Sequence, residues 1–228
     1  MEVDELILRS AEHLRAELKS DTTGHDWLHT ERVWRMSCLL AEHEKADSGV
    51  VQLTALLHDV RDWKISGKEH GSADYARHWL LELGAHPSLV AKVCDAIDAI
   101  SFLGEKENQT FLSREAAIVQ DADRLDAMGA IGIARAFAYG GSKKRPIYDP
   151  DVAPRRGMTR EEYRSHLGTT VNHFHEKLLL LRDRMQTEAG RRIAEHRHEW
   201  MLRFLEEFDL EVQALDHTRI TSLWKSSA

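Results

Sequence analysis

The chain has 228 residues, of which 42% are hydrophobic and 30% are charged, and its formal net charge is -7. This composition is typical of a soluble globular protein, and the negative charge argues against a broad binding surface for nucleic acid or for an anionic membrane. No apolar run approaches the length of a membrane span, and the acidic start of the sequence is unlike a signal peptide. We therefore expect a cytoplasmic protein with no nucleic-acid or membrane partner.

Helical periodicity dominates the first half of the chain. Five segments carry apolar residues at spacings of three and four, which predicts amphipathic helices. They are residues 5–18, 27–44, 50–60, 75–83 and 87–100. Asp26 is expected to cap the second helix, Gly84 to follow the end of the fourth, and Pro87 to begin the fifth.

The second half of the chain also favours helices. Residues 116–139 predict one long helical segment, in which Gly129 and Gly132 indicate close packing or a bend. Residues 139–159 contain three of the four prolines and predict an irregular segment, and two long amphipathic helices are expected over 160–187 and 191–208. No stretch is typical of a β-sheet and no repeat is found. The economical prediction is one all-α helical bundle that spans residues 1–228.

Cys38 and Cys94 are far apart and lie in apolar helical segments. They form neither a CxxC motif nor the spacing of a zinc finger. The simplest interpretation is two buried free thiols in a reducing compartment, which agrees with the expected cytoplasmic location.

The stretch LTALLHDVRDWK, residues 53–64, stands out because it places polar groups at the end of an apolar helix. These groups are His58, Asp59, Asp62 and Lys64. Burying them is costly unless something satisfies them, and imidazole nitrogens with carboxylate oxygens would bind a divalent metal ion.

Further ligands are expected from two other helices. His29 lies near the start of the second helix, with His25 in the preceding loop as a weaker alternative. In the segment QDADRLDAMG, Asp123 and Asp126 share a helix face, whereas Asp121 lies off it. Taken singly, each of these residues is commonly a solvated or capping group. Their order along the chain, a histidine, then a His-Asp pair, then an acidic pair, indicates a metal site.

This order resembles the signature H…HD…D of the HD-domain metal-dependent phosphohydrolases. The matching residues are His29, His58, Asp59 and Asp123, the last within the ADRL sequence typical of that family. The stretches LLHDVRDWK, ISFLGEK, RPIYDP and NHFHEKLLLLRDRM resemble more closely a bacterial branch that includes manganese-dependent nucleoside triphosphate pyrophosphohydrolases. The resemblance extends from about residue 25 to 208.

The resemblance implies a helical bundle around one metal ion. The HD core would span about residues 25–130, helices over 160–208 would pack on it, and residues 139–159 would form a loop or lid. The ion is expected to be manganese, with magnesium, iron, cobalt, nickel or zinc as alternatives. The implied reaction is attack of metal-activated water on a nucleotide phosphorus, which releases monophosphate and pyrophosphate.

Several residues are expected to contact the substrate or transfer a proton. Asp62 follows Asp59 by three positions and would face the metal if the helix continued by one turn; otherwise it is a helix-ending carboxylate paired with a neighbouring cation. Lys64 would meet a phosphate oxygen. The predicted substrate contacts are Arg32, Asp126, Lys143, Lys144, Arg145 and Lys177. The three consecutive basic residues would belong to the lid, or alternatively to a solvated surface loop.

Two alternative functions stay open. An enzyme of the same fold could hydrolyse nucleoside monophosphates or cyclic nucleotides. A non-catalytic helical scaffold is the second alternative, although such a module would be expected to lack one of the ligands. The long C-terminal helices would permit a homodimer.

Overall fold

The protein is described by a computed structural model over residues 1–18, 26–60, 71–102, 112–155 and 168–214, and these ranges contain no β-strand. The α-helices are α1 (Val3–Glu17), α2 (Trp27–Glu44), α3 (Ser48–Leu57), α4 (Gly71–Glu82), α5 (Pro87–Phe102), α6 (Arg114–Asp126), α7 (Gly129–Ser142), α8 (Thr170–Glu176) and α9 (Glu188–Val212). One 3₁₀ segment, Leu178–Arg184, lies between the last two helices. The predicted all-α bundle is confirmed. None of the described helices is long and apolar enough to cross a membrane.

Helix α3 lies between two apolar cores because its buried residues cover most of its circumference. Leu53 and Leu56 pack into a core shared with α1, α4 and α5. Val51 and Ala55 pack into a second core with α2, α6 and α9. All four side chains are at most 1% exposed. A helix enclosed on every side cannot rotate, so the residues that follow it are held in one place.

The start and stop signals expected from the sequence are confirmed. The Asp26 side chain accepts a hydrogen bond of 2.8 Å from the backbone N–H of His29 and caps α2. Gly84 has a φ of 77° after the end of α4, and Pro87 is the first residue of α5. The cap at Asp26 fixes the first turn of α2, which carries His29.

The predicted end of α3 at residue 60 is wrong, because the helix ends at Leu57. In a continuing helix, the carbonyl of Ala55 would accept a hydrogen bond from the backbone N–H of Asp59. At this end of α3, Nδ1 of His58 lies 2.9 Å from that carbonyl oxygen. Asp59 lies beyond the helix, in a turn.

The single long helix expected over 116–139 is instead two helices, α6 and α7. Gly129, at the start of α7, has a φ of 69°, which an L-residue with a side chain rarely adopts. A Cβ on Gly132 would lie only 2.3 Å from the carbonyl oxygen of Ala127. The two glycines therefore mark a sharp bend, which is one of the two readings that the sequence left open.

The single long helix predicted over 160–187 is, within its described residues 168–187, divided into α8 and the 3₁₀ segment Leu178–Arg184. Thr169 and Thr187 cap α8 and α9 by accepting backbone hydrogen bonds, and these caps interrupt the expected helical stripe. The last predicted helix, 191–208, lies inside α9.

The segment 139–159 is less irregular than predicted, because α7 continues to Ser142. Beyond it, the backbone N–H groups of Thr170 and Val171 donate to the carbonyls of Pro146 and Ile147, at 2.9 and 3.0 Å. The described part of the segment, residues 143–155, is thus fastened to the start of α8. Residues 156–159 lie outside the described ranges.

Asp121 is fully buried and joins α6 to the start of α9. Its carboxylate accepts hydrogen bonds from the backbone N–H of Gln186, at 2.9 Å, and from the backbone N–H and hydroxyl of Thr187, at 2.7 and 2.8 Å. Burial raises the pKa of Asp121, and these hydrogen bonds oppose the increase. Asp121, which the sequence placed off the functional face of its helix, therefore has a structural role.

We expect Asp121→Asn to destabilise the fold by about 2 kcal/mol, because the new amide group would meet the N–H donors of Gln186 and Thr187. Urea unfolding in the presence of a chelator measures this loss. The control is Asp183→Asn, which changes an exposed carboxylate and should unfold at the wild-type urea concentration. Equal stability of the two variants would contradict the role given to Asp121.

Candidate metal centre

Two histidines from different helices meet at the end of α3. His29 lies in the first turn of α2, and His58 directly follows the last residue of α3. Both are buried, at 2% and 8% exposure, and their ring centroids are 6.1 Å apart. The packing of α2 against α3 therefore brings together two residues that are far apart in the sequence.

Two carboxylates complete the group. One ligand atom each from His29, His58 and Asp59 lies within 4.8 Å of the others. The Nε2 atom of His29 is 3.9 Å from Oδ2 of Asp59 and 3.5 Å from Oδ1 of Asp123. The Asp123 side chain is 44% exposed, so the cluster opens to solvent on the α6 side.

Hydrogen bonds orient both rings towards the same opening. The Nδ1 atom of His29 lies 2.8 Å from the Asp126 carboxylate, and Nδ1 of His58 lies 2.9 Å from the carbonyl of Ala55. A carboxylate and a carbonyl only accept hydrogen bonds, so each Nδ1 carries the proton. Each Nε2 therefore offers a lone pair, which is the arrangement of a metal-binding histidine.

Asp126 is the centre of a charged network behind His29. Arg32 donates to both of its oxygens, at 2.6 and 3.1 Å, and Arg135 also donates to it. Burial alone would raise the pKa of Asp126, but the hydrogen bonds from His29 and Arg32 and the charge of Arg135 together lower it well below the usual range. The carboxylate therefore stays ionised and keeps the His29 ring fixed.

The residues present fit a divalent metal ion. Nε2 of His58 is buried and has no hydrogen-bond partner among the described residues. Leaving a buried nitrogen lone pair unsatisfied is costly, and a metal ion would satisfy it. Two imidazole nitrogens with Asp59 and Asp123 form a mixed nitrogen and oxygen set, which suits first-row divalent ions.

The two predicted catalytic residues, Asp62 and Lys64, lie outside the described residues. Asp62 would face the metal beside Asp59 if the helix continued by one turn. That condition is not met, because α3 ends at Leu57. The catalytic roles of both residues stay predictions.

The structure places the predicted substrate residues Arg32 and Asp126 against each other. Together they form the ion pair behind His29, where the Asp126 side chain is only 5% exposed. Their contacts support His29, and a direct contact with the substrate stays a prediction. Arg135, which the sequence reading missed, completes this network. An arginine within the otherwise apolar run GAIGIARAF was the available signal.

Lys177, another predicted substrate residue, is near the centre. Its side chain reaches the surface, yet surrounding atoms desolvate the ammonium group and lower its pKa, and Arg184 and Arg135 lower it further while Asp123 opposes them. Lys177 therefore lies where the charges of Asp123, Arg184 and Arg135 all act on it. Arg184, which lies within the amphipathic helix predicted over 160–187, was also missed in the sequence.

The basic residues Lys143, Lys144 and Arg145 lie at the end of α7. Lys143 is the C-cap residue, and Lys144 has a φ of 56°. The two lysines are exposed, whereas Arg145 is half-buried. Their contact with a substrate stays a prediction, and only the arginine is enclosed by the fold.

The model of the HD domain family matches residues 27–128. The chain is 35% identical over 214 residues to the uncharacterised protein YpgQ of Bacillus subtilis (strain 168), a match that covers 92% of this chain and 97% of YpgQ. The matched family range contains the two histidines and two aspartates of the candidate centre.

Solved structures agree with this family. An HD-superfamily hydrolase from Bacillus thuringiensis superposes with a TM-score of 0.75 and 39% identity, over 93% of this chain and all (100%) of that one. The structure of Bacillus subtilis YpgQ in complex with ADP superposes with a TM-score of 0.70 and 34% identity, over 92% and 99% of the two chains.

We expect Asp126→Asn to weaken metal binding by about 10- to 100-fold, because an amide cannot hold both arginines and also accept from His29 with the strength of a carboxylate. Titration calorimetry with Mn²⁺ on metal-stripped protein measures this change. Asp95→Asn, an exposed substitution on α5, is the control. Wild-type affinity in a folded Asp126→Asn protein would refute the supporting role.

Proposed function

Because the chain belongs to the HD domain family and brings His29, His58 and Asp59 together, we propose that it is a metal-dependent phosphohydrolase of nucleotides. Its substrates are nucleoside triphosphates or their deoxy forms. The observation that carries the proposal is the pair of Nε2 atoms directed at one opening beside two carboxylates. The proposed metal is one Mn²⁺ ion.

The proposed reaction is hydrolysis at the α-phosphorus. The oxygen of one water molecule bonds to the α-phosphorus. The bond between the α-phosphorus and the oxygen that bridges to the β-phosphorus breaks. The products are a nucleoside monophosphate and pyrophosphate. A bound divalent ion would polarise a phosphoryl oxygen and lower the pKa of a coordinated water.

The chain's own residues have separate tasks in this proposal. His29, His58, Asp59 and Asp123 hold the ion, and Asp126 keeps His29 in the correct tautomer and orientation. Asp62 accepts the proton of the attacking water, and Lys64 contacts a phosphate oxygen. These last two roles rest on the resemblance of the stretch HDVRDWK to the family.

The charges around the opening favour an anionic substrate. The charges of Asp123, Arg184 and Arg135 all act on Lys177, although the chain as a whole has a net charge of -7. Such a local concentration of cations in an acidic protein suits a phosphate chain. The solved complex of the relative YpgQ contains ADP, which supports a nucleotide.

Hydrolysis assays with Mn²⁺ test the substrate class. We expect pyrophosphate and monophosphate from triphosphates, because cleavage is placed at the α-phosphorus. Ion-exchange chromatography of the products distinguishes this from loss of the γ-phosphate. Release of inorganic phosphate from monophosphates, or opening of cyclic nucleotides at a higher kcat/KM, would favour the alternative enzyme of the same fold, and no turnover of any nucleotide would favour the scaffold.

A pair of aspartate variants tests the division of labour. Asp59→Asn should lose metal binding and hydrolysis together, because a neutral amide is a poor ligand for a hard divalent ion. Asp62→Asn should retain the metal and lose about 10²- to 10⁴-fold in kcat, as expected for a proton acceptor. Atomic absorption of the purified proteins and steady-state kinetics report the two properties. Wild-type turnover by Asp59→Asn would refute the metal-centred reaction.

A further inference from the structure

The consecutive cations Lys143, Lys144 and Arg145 are fixed by a helix-ending motif at the C-terminus of α7. The backbone N–H of Lys144 donates to the carbonyl of Gly141 at 3.0 Å, and that of Arg145 donates to the carbonyl of Gly140 at 2.9 Å. With Lys144 in the left-handed region, these two bonds form a Schellman motif. Lys143 and Arg145 both lie over the Tyr139 ring, with Nζ of Lys143 5.6 Å from its centroid, so the three cations differ in exposure rather than in aromatic contact.

The two lysines are solvated, whereas the Arg145 side chain is partly enclosed. The Nε atom of Arg145 is buried and has no hydrogen-bond partner among the described residues. Its guanidinium lies over the ring of Tyr139, with Cζ 5.7 Å from the ring centroid. The aromatic face steadies the cation, but it cannot satisfy the N–H group.

The surroundings of Arg145 are basic. Burial first, and then the positive charges of Lys177 and Arg145, lower the pKa of His173 to about 4, so this imidazole is neutral at pH 7. No carboxylate in the described part of the chain forms an ion pair with Arg145. A buried guanidinium nitrogen without an acceptor is costly, and an anion would remove this cost.

Helix α8 connects this position to the metal centre. His173 and Lys177 lie one turn apart, and the backbone N–H of Lys177 donates to the carbonyl of His173 at 3.0 Å. Lys177 is attracted to Asp123 at one end, and His173 is influenced by Arg145 at the other. Lys177 and His173, one turn apart, therefore lie where the charges of Asp123 and of Arg145, respectively, act on them.

We infer that Arg145, with His173 and Lys177 on the path from the metal centre, forms a site for the terminal phosphate of a nucleoside triphosphate. This inference rests on the proposed function, and it adds the means by which the enzyme recognises the number of phosphates in the nucleotide. A planar guanidinium binds a doubly charged terminal phosphate through two N–H groups. The diphosphate, which is one phosphate shorter, would not reach Arg145.

The test compares Arg145→Gln with the wild-type enzyme loaded with Mn²⁺. The substrate is the triphosphate that the wild type hydrolyses fastest, and the corresponding nucleoside diphosphate serves as a competitive inhibitor. We expect KM for the triphosphate to rise about 10- to 100-fold, as is typical of losing a charged hydrogen bond, while Ki for the diphosphate changes less than twofold. Arg145→Lys should recover only part of the loss, because an ammonium group lacks the planar fork.

Three further variants separate a specific contact from general attraction. Arg192→Gln removes an exposed positive charge on α9 and should leave KM at the wild-type value. Lys143→Gln and Lys144→Gln should raise KM far less than Arg145→Gln, and their effects should disappear at high salt. An equal increase in KM for Lys143→Gln, Lys144→Gln and Arg145→Gln would overturn the inference. So would an Arg145→Gln enzyme in which KM for the triphosphate and Ki for the diphosphate rise equally.

A binding experiment keeps this result separate from the proposed function. Calorimetry with inorganic triphosphate and with pyrophosphate on the Mn²⁺-loaded protein measures the site without turnover. Tighter binding of triphosphate that is lost in Arg145→Gln supports the site even if no nucleotide is hydrolysed. Equal binding of the two anions by the wild type would refute the site even if hydrolysis is observed.

Discussion

The carboxylate of Asp126 is the contact on which the centre depends, because it joins three helices at one point. It lies at the end of α6, accepts from His29 and Arg32 of α2, and accepts from Arg135 of α7. Two arginines and one ionised carboxylate leave a net positive charge behind the His29 ring. Because the Asp126 carboxylate accepts from Nδ1 of His29, Nε2 is the ring nitrogen that remains for a metal ion.

The residues of the centre were predictable from sequence where one short motif carries both the fold and the chemistry. His58 and Asp59 follow an apolar helix directly, and the run over 27–44 contains His29 on an unbroken amphipathic helix that the structure reproduces as α2. Local periodicity and composition determine such features. The family resemblance then identified Asp123 as the fourth member of the group.

The boundaries of the helices and the connections between them could not be predicted, because they depend on contacts that hydrophobic periodicity does not reveal. The bonds from Asp121 to Gln186 and Thr187 join α6 to a part of the chain that read as continuous helix. In the same way, α3 ends at Leu57, where Nδ1 of His58 lies 2.9 Å from the carbonyl oxygen of Ala55. Hydrophobic periodicity reveals neither feature, since both depend on hydrogen bonds made by polar side chains.

The bend between α6 and α7 links backbone geometry to the electrostatics of the centre. A straight helix would carry Arg135 away from Asp126 at 1.5 Å per residue. The left-handed conformation of Gly129 and the close approach of Gly132 to the carbonyl of Ala127 instead turn α7 back, so that Arg135 reaches the Asp126 carboxylate. A side chain at position 132 would have to displace the start of α7 and Arg135 with it. These glycines, which touch no proposed ligand, therefore contribute to the charge that His29 experiences.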